Sequence, residues 1–161
     1  MGVTASLNIY VDCNIEELKE FLIEEIWMKN VIRPYGNIPK ISNESILFDA
    51  MCITFGSIDE ESVEYYNEEY NININHKFIF ELYNRVLDSF SEEIKVLAAI
   101  LKKYSGDCEF SINGYTLLLR KDGEITIDRT EKERLPNLPY KLLGDNYIID
   151  DLNKQSWMDL I

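Results

Sequence analysis

The chain has 161 residues, 46% of them hydrophobic and 28% charged, a length typical of one domain that needs no disulfide or metal for stability. Sixteen basic and 29 acidic side chains give a net charge of −13, and such a polyanion repels nucleic-acid phosphates. Seven phenylalanines and ten tyrosines supply core material and argue against a disordered chain. We therefore expect one acidic domain over residues 1–161 that does not bind nucleic acid.

The N-terminal part of the chain predicts a strand and a helix. Apolar residues at every second position predict a half-buried strand over 6–11. Asn14 and Glu17 have the spacing of a helix-capping box, and a helix is predicted over 15–28. Its apolar face is Ile15, Leu18, Leu22 and Ile26. Its acidic face is Glu16, Glu20 and Glu24. Prolines and a glycine over 30–43 predict the loop that ends this helix.

The middle of the chain predicts two strands and a second helix. β-Branched residues over 45–55 indicate a strand, and the acidic segment 59–70 is interpreted as a solvated loop. Alternation over 71–80 predicts a long strand. Its inner face is Ile72, Ile74, Phe78 and Phe80, continued by Leu82. A capping box at Ser89 and apolar residues at helical spacing predict a helix that ends before a C-terminal glycine, Gly106.

Three short strands are predicted after the second helix. They span Cys108–Ile112, Tyr115–Lys121 and Glu124–Asp128, joined by the turn-forming pairs Asn113-Gly114 and Asp122-Gly123. The order β-α-β-β-α-β-β-β indicates an α+β fold with two helices on one face of a mainly antiparallel sheet, and its start matches a ferredoxin-like core. Residues 129–161 are predicted to be a less regular C-terminal extension with an edge strand over 146–151.

Catalytic and metal-binding patterns are sparse in this sequence. His76 is the one histidine, and its place on the inner strand face indicates a half-buried structural residue. The alternative is a small enzyme in which His76 works with a carboxylate or with the thiol of Cys52 or Cys108. The three cysteines, including Cys13, are spaced too widely for a zinc site and indicate free thiols. We expect no catalytic activity, no cofactor and no metal.

The paired carboxylates and the hydropathy profile predict neither a divalent-cation site nor a membrane span. Glu92-Glu93 and Asp150-Asp151 are interpreted as surface charge, because adjacent residues point to different sides of a helix or strand. No apolar run approaches the roughly 20 residues of a membrane span, and no signal-peptide pattern opens the sequence. A cytoplasmic location without membrane contact is therefore expected.

Negative charge is concentrated in the first part of the chain. Residues 1–70 carry 14 acidic and 4 basic side chains, a balance of −10, whereas residues 71–161 carry 15 and 12, a balance of −3. The acidic segment over 59–70 mixes carboxylates with tyrosines, which together suit docking to a basic protein. The predicted contact residues are Asp59, Glu60, Glu61, Glu64, Tyr65, Tyr66, Glu68, Glu69 and Tyr70. The acidic face of the first helix would extend this field if both segments lie on one side.

The layout over residues 78–128 resembles the Sit-type immunity proteins of myxobacteria, which protect a cell from a toxin exchanged between kin. The shared order is a strand, a helix, Gly106-Asp107, an apolar strand, the Asn113-Gly114 turn and a leucine-rich strand that ends in Arg120 and Gly123. The resemblance implies a protein that binds and neutralises a cognate toxin domain without catalysis. It implies no catalytic residues. An acidic adaptor or an inhibitor of another target is the alternative.

Overall fold

The computed structural model describes residues 3–29, 31–33, 40–83 and 89–153. The strands are β1 (Val3–Ile9), β2 (Lys40–Ile41), β3 (Ser45–Leu47), β4 (Met51–Ser57), β5 (His76–Leu82), β6 (Cys108–Ile112), β7 (Tyr115–Lys121), β8 (Glu124–Asp128) and β9 (Ile148–Asp150). The helices are α1 (Ile15–Phe21), which continues as a π-helix over Leu22–Trp27, α2 (Glu60–Tyr70), α3 (Ser89–Lys103), α4 (Arg129–Arg134) and a 3-10 helix over Tyr140–Leu143. Within this part of the chain the nine strands form one sheet, ordered β2-β3-β4-β5-β1-β6-β7-β8-β9.

The centre of the sheet has the predicted ferredoxin-like arrangement. Strands β4, β5, β1 and β6 are neighbours in that order, and each adjacent pair is antiparallel. The connection that contains α1 runs from β1 past β5 to the β4 side, and α3 connects β5 to β6 past β1. These two crossovers are the split βαβ pattern. The α+β prediction is therefore confirmed, with β2–β3 added at one edge and β7–β9 at the other.

The two faces of the sheet are covered unequally. Leu7 and Ile9 of β1 are fully buried in the apolar cluster that α1 and α3 complete. The Phe21 ring contacts Tyr104 edge-on at 5.5 Å between centroids, which joins α1 to the end of α3. Because strand side chains alternate, Asn8 points to the opposite face. That second face is covered in part by α2, so the two predicted helices share one face and an unpredicted helix lies on the other.

The interpretation of segment 59–70 as a loop is wrong, because α2 forms there. Asp59 caps the helix by accepting a hydrogen bond from the Ser62 backbone amide at 3.0 Å, and the Ser62 hydroxyl donates to the same carboxylate. Val63, Tyr66 and Tyr70 follow at intervals of three and four, so one helix face turns toward the sheet. The cap and this spacing are the sequence signals of the helix.

The strand predicted over 71–80 starts later, at His76. Asn71 adopts the left-handed conformation (φ 56°) that ends α2, and asparagine tolerates it well. The Asn75 side chain accepts from the Val11 amide and donates to the Val11 carbonyl, both at 2.8 Å, in place of a strand ladder. The predicted inner-face residues are nevertheless buried: Ile72, Ile74, Phe78, Phe80 and Leu82.

Other boundaries differ in detail from the prediction. The strand predicted over 45–55 is the hairpin of β3 and β4, and the predicted connector after Asp128 is the short helix α4. The edge strand predicted over 146–151 is β9, which pairs with β8 in parallel. Residues 30 and 34–39 of the predicted loop, and residues 154–161 of the C-terminal extension, lie outside the described residues.

Both predicted hairpin turns after α3 are confirmed. Asn113 (φ 51°) and Gly114 (φ 85°) join β6 to β7, and Asp122 (φ 50°) and Gly123 (φ 82°) join β7 to β8. Positive φ at both central positions is the type I′ geometry, which matches the twist of the flanking strands. The three strands begin and end at the predicted residues.

Gly106 serves close packing rather than the predicted left-handed end of α3. A Cβ atom at this position would lie 2.3 Å from the Tyr10 backbone oxygen and 2.9 Å from the Tyr10 Cβ. The Tyr10 amide donates to the Asp107 carbonyl at 3.0 Å, so both backbones are fixed at this approach.

Replacement of Gly106 by alanine is therefore expected to lower the free energy of unfolding by about 2 kcal/mol, the usual cost of overpacking a fixed site. Urea unfolding followed by far-ultraviolet circular dichroism measures it. Gly56, where an added Cβ meets nothing within 4 Å, supplies the matched control variant Gly56→Ala. Equal unfolding midpoints for the two variants would contradict the packing role of Gly106.

Candidate docking surface and polar cleft

Helix α2 presents carboxylates to solvent and tyrosines to the sheet. The exposed residues of the predicted contact set are Asp59, Glu60, Glu61, Glu64, Tyr65 and Glu68. Tyr66, Glu69 and Tyr70 are half-buried, and no residue of α2 is fully buried. The structure therefore divides the predicted set into an outer and an inner face. The exposed carboxylates of the outer face form what we call the α2 acidic face: Asp59, Glu60, Glu61, Glu64 and Glu68. The inner face carries Tyr66 and Tyr70.

The charges of the α2 acidic face stabilise the first turn of the helix, where Glu60 and Glu61 lie at the positive end of the dipole, but they oppose helix stability further along. Glu60, Glu64 and Glu68 follow one another at intervals of four, and each like-charge pair at that spacing costs roughly 0.2–0.5 kcal/mol. Glu68 also lies in the last turn, where the negative end of the helix dipole disfavours an anion. Among the described residues, no salt bridge reaches Glu60, Glu61, Glu64 or Glu68. Stability of the isolated chain accounts for the carboxylates at the start of α2 but not for Glu64 and Glu68.

A polar network lies on the sheet beneath α2. The Asn8 side-chain amide donates to the Tyr66 hydroxyl at 3.0 Å and to the Glu109 carboxylate at 3.2 Å. The Thr116 hydroxyl donates to the other Glu109 oxygen at 2.7 Å and is 3.2 Å from the Tyr70 hydroxyl. Glu109 has only 2% of its surface exposed. The inner tyrosines thus hold α2 to a buried carboxylate.

An irregularity in the sheet brings Thr116 into this network. Ser111 pairs with Thr116 and Phe110 pairs with Leu118, so β7 holds one extra residue between these pairs. Such a bulge lets Thr116 face α2 while Leu118 faces the apolar core. The Asn153 side chain fixes the same position by bonding the Thr116 amide at 2.8 Å and its carbonyl at 3.0 Å.

Burial shifts the proton affinities of the network. Burial raises the pKa of the Glu109 carboxyl, and hydrogen bonds from Thr116, Asn8 and Tyr66 oppose the rise. Burial, together with the Glu109 charge, raises the pKa of the Tyr66 hydroxyl far above its ordinary value of 10. The Asn8 side-chain oxygen has no hydrogen-bond partner among the described residues. The network is therefore partly desolvated.

A cleft of about 410 Å³ opens beside this network, between α2 and the strands β1, β6 and β7. Tyr65, Tyr66 and Tyr70 line it from the helix, and Ser6, Ser111, Thr116 and Glu109 line it from the sheet. Tyr65 keeps 52% of its surface exposed at the cleft. A carboxylate among aromatic rings is the chemistry that recognises an organic cation.

The acidic face of α1 does not extend the field of the α2 acidic face. Glu16, Glu20 and Glu24 are exposed, as predicted, but α1 packs on the sheet face opposite to α2. A partner that covers α2 therefore does not touch this ridge. The two acidic surfaces form a matched pair for mutagenesis.

His76 is half-buried, as predicted, at the first position of β5. Its Nδ1 atom is 2.9 Å from the Asn75 side-chain oxygen, and burial lowers the pKa of the imidazole. Ile9 lies between His76 and Cys108 in the register, which puts those two residues two strands, about 10 Å, apart. Cys52 pairs with Glu81 near the other end of β5. The thiol–imidazole pair considered for an enzyme is therefore not formed.

The described part of the chain holds neither a candidate metal site nor a helix that could span a membrane. No group of three or more histidine, cysteine or acidic side chains is placed to hold a metal ion in residues 3–29, 31–33, 40–83 and 89–153. No helix within those ranges has the length and apolar character needed to cross a membrane. Cys13, Cys52 and Cys108 carry free thiols.

The sheet half of the cleft was not anticipated from the sequence. Glu109 lies within an apolar strand, and Asn8 lies between two core residues. In the sequence, each has the pattern of a solvent-facing residue of a half-buried strand. The sequence signal for Glu109 is that it is the one charged residue of a five-residue strand. In the structure all five residues of that strand are buried. Only the position of α2 places Glu109 in a cleft.

Comparisons of this chain with protein-family models, with curated proteins and with solved structures found no match.

Proposed function

We propose that this chain is a non-catalytic binding protein whose α2 acidic face docks onto a basic protein and neutralises it, as an immunity protein neutralises a toxin domain. The toxin assignment derives from the resemblance of residues 78–128 to the Sit-type immunity proteins. The docking assignment derives from the surface of α2.

One observation carries the docking assignment: Glu64 and Glu68 of α2 are exposed at positions where their charges weaken the helix, and no salt bridge among the described residues reaches them. A basic partner supplies the missing countercharge and turns this repulsion into attraction on binding. Exposed Tyr65 adds a rigid aromatic contact beside the charges. A nuclease toxin suits this surface, since its nucleic-acid groove is itself basic.

Affinity capture tests whether such a partner exists. The full chain, tagged at one end, is expressed in its native host together with the genes beside it, and mass spectrometry identifies the protein that it retains at stoichiometric amounts. We expect a basic protein encoded next to this chain, and we expect this chain to restore growth of cells that express that protein. A retained partner with an acidic surface would contradict the proposal.

Charge reversal on α2 is expected to slow association with the captured partner. The variant Glu61→Lys/Glu64→Lys/Glu68→Lys removes the field that steers a basic protein, so its association rate constant is expected to fall by about 10–100-fold at low ionic strength. Surface-immobilised kinetics at two salt concentrations measure this, because screening by salt reduces the difference between variant and wild type.

The matched control changes the same number of charges on the other face of the sheet. The variant Glu16→Lys/Glu20→Lys/Glu24→Lys has the same net charge but leaves the α2 acidic face intact. Its association rate is expected to fall by no more than about threefold, from the long-range field alone. Equal rates for the two triple variants would contradict docking through α2.

A further inference from the structure

The cleft beneath α2 has the geometry of a specific cation site. Its floor includes Glu109, and its wall includes the ring of Tyr65 at the solvent side. Each Glu109 oxygen accepts one hydrogen bond from the strands, from Asn8 to one and from Thr116 to the other. The Tyr66 hydroxyl also hydrogen-bonds to this carboxylate. A carboxylate offers about four acceptor positions, so Glu109 retains capacity for one further donor.

The surroundings of Glu109 select a cation rather than a neutral donor. Its hydrogen-bond partners are amide and hydroxyl groups, and the charge that acts on it from nearby is that of Lys77. A buried carboxylate without a directly bound cation is costly, and a cationic ligand removes that cost. Three tyrosine rings beside it favour a cation that stacks on aromatic faces.

We propose that this cleft is an anchor pocket for one arginine side chain of the partner protein, whose guanidinium binds the Glu109 carboxylate along the tyrosine wall of α2. This inference rests on the proposed function and names the chemistry of the partner's central contact. Arginine fits better than lysine because its flat guanidinium donates several hydrogen bonds in one plane and stacks on aromatic rings. The adjacent α2 acidic face, charged oppositely to a basic partner, makes a protein side chain the occupant.

A nuclear magnetic resonance titration with N-acetyl-L-arginine amide tests the pocket without the partner. We expect saturable shifts of the Ser6, Ser111 and Thr116 amide signals, with a dissociation constant on the order of 1–10 mM. The neutral analogue N-acetyl-L-citrulline amide has a similar shape without the charge, and we expect it to leave these signals unmoved at the same concentrations.

The variant Glu109→Gln distinguishes binding of the arginine probe in the cleft from a general attraction of the probe to the acidic surface. Glutamine keeps an oxygen for Asn8, and its amide donates to the Thr116 hydroxyl, so the network is retained. We expect its affinity for the arginine probe to fall by about tenfold or more. The matched control Glu61→Gln removes one charge from the α2 acidic face and is expected to bind the probe as wild type does. Tyr65→Ala, at an exposed position, is expected to weaken binding about threefold.

Three results of the titration would overturn the inference. They are equal shifts from the citrulline analogue, equal arginine affinities for Glu109→Gln and Glu61→Gln, and tighter binding of free L-arginine than of the capped probe, which would make the cleft a metabolite site. With the captured partner, we expect Glu109→Gln to raise the dissociation rate about tenfold, whereas charge reversal on α2 acts on association. Unchanged dissociation would overturn the anchor and leave the proposed function standing.

Discussion

Replacing Arg120 with methionine is expected to lower the free energy of unfolding by about 3–5 kcal/mol, the largest effect of any single change considered for this chain. The Arg120 guanidinium is buried at the end of α3, with 6% of the residue exposed. It donates to the Leu101 carbonyl at 2.9 Å, to the Tyr104 carbonyl and twice to the Gly106 carbonyl, at 2.9 and 2.7 Å.

The size of this effect follows from the carbonyl groups that methionine would leave without a hydrogen-bond donor. Each buried carbonyl without a donor costs about 1–3 kcal/mol, and the positive charge at the negative end of the α3 dipole is lost as well. Lysine is expected to recover part of the loss, because a single ammonium group does not replace the planar fork. Urea unfolding measures both variants.

The matched control is Lys102→Met, which removes an exposed cation from the same helix end and is expected to cost less than about 1 kcal/mol. Equal midpoints for the two methionine variants would contradict the capping role.

Replacing Glu93 with methionine is expected to raise the free energy of unfolding at pH 8 by about 1–4 kcal/mol. Glu93 was interpreted from the sequence as surface charge, but it lies on the buried stripe of α3 with Ile94 and Leu97. Both of its carboxylate oxygens are buried without a hydrogen-bond partner among the described residues. Methionine has a similar length and needs no partner.

The same residue makes stability depend on pH in a defined direction. Burial raises the pKa of Glu93 well above its ordinary value of 4.5, so the folded protein holds a proton that the unfolded chain releases. The Glu93 contribution to stability is therefore fully present below about pH 4.5 and is lost as pH rises through the folded-state pKa. Above that pKa the contribution no longer changes.

Urea unfolding at pH 5 and pH 8 measures this contribution as a difference between variants. Glu93→Gln cannot ionise, so the stability that wild type loses between the two pH values is expected to shrink. Glu92→Gln, at the partly exposed neighbouring position, is the matched control and is expected to keep the wild-type difference. A Glu93→Gln variant with the same pH difference as wild type would contradict the assignment.

The elements that local chemistry determines were predictable from the sequence. The type I′ turns at Asn113-Gly114 and Asp122-Gly123 need positive φ at both positions, and that requirement fixed the three strands around them. The apolar faces of α1 and α3 follow from helical spacing alone. From these elements the ferredoxin-like order of the central strands was also anticipated.

What depends on contacts between distant residues was not predictable. Gly106, Asp107 and Arg120 lie close together after α3 and in β7, and all three serve packing or hydrogen bonding. Arg120, which caps the C-terminal end of α3, is on a strand that follows the helix by a hairpin. From the sequence, the exposed Lys102 and Lys103 were the expected cations at this helix end. Likewise, Glu109 becomes part of a cleft only because α2 lies over its face of the sheet. No residue of α2 is fully buried, so the sequence of α2 does not show that this helix packs on the sheet.

Hydrogen–deuterium exchange of the full chain, alone and with its captured partner, tests docking through α2 most directly. We expect the partner to slow exchange in α2 and in the segments of β1, β6 and β7 that line the cleft. We expect exchange in α1, on the other face of the sheet, to stay the same. Protection confined to α1 and α3, with α2 exchanging as in the free chain, would contradict the account.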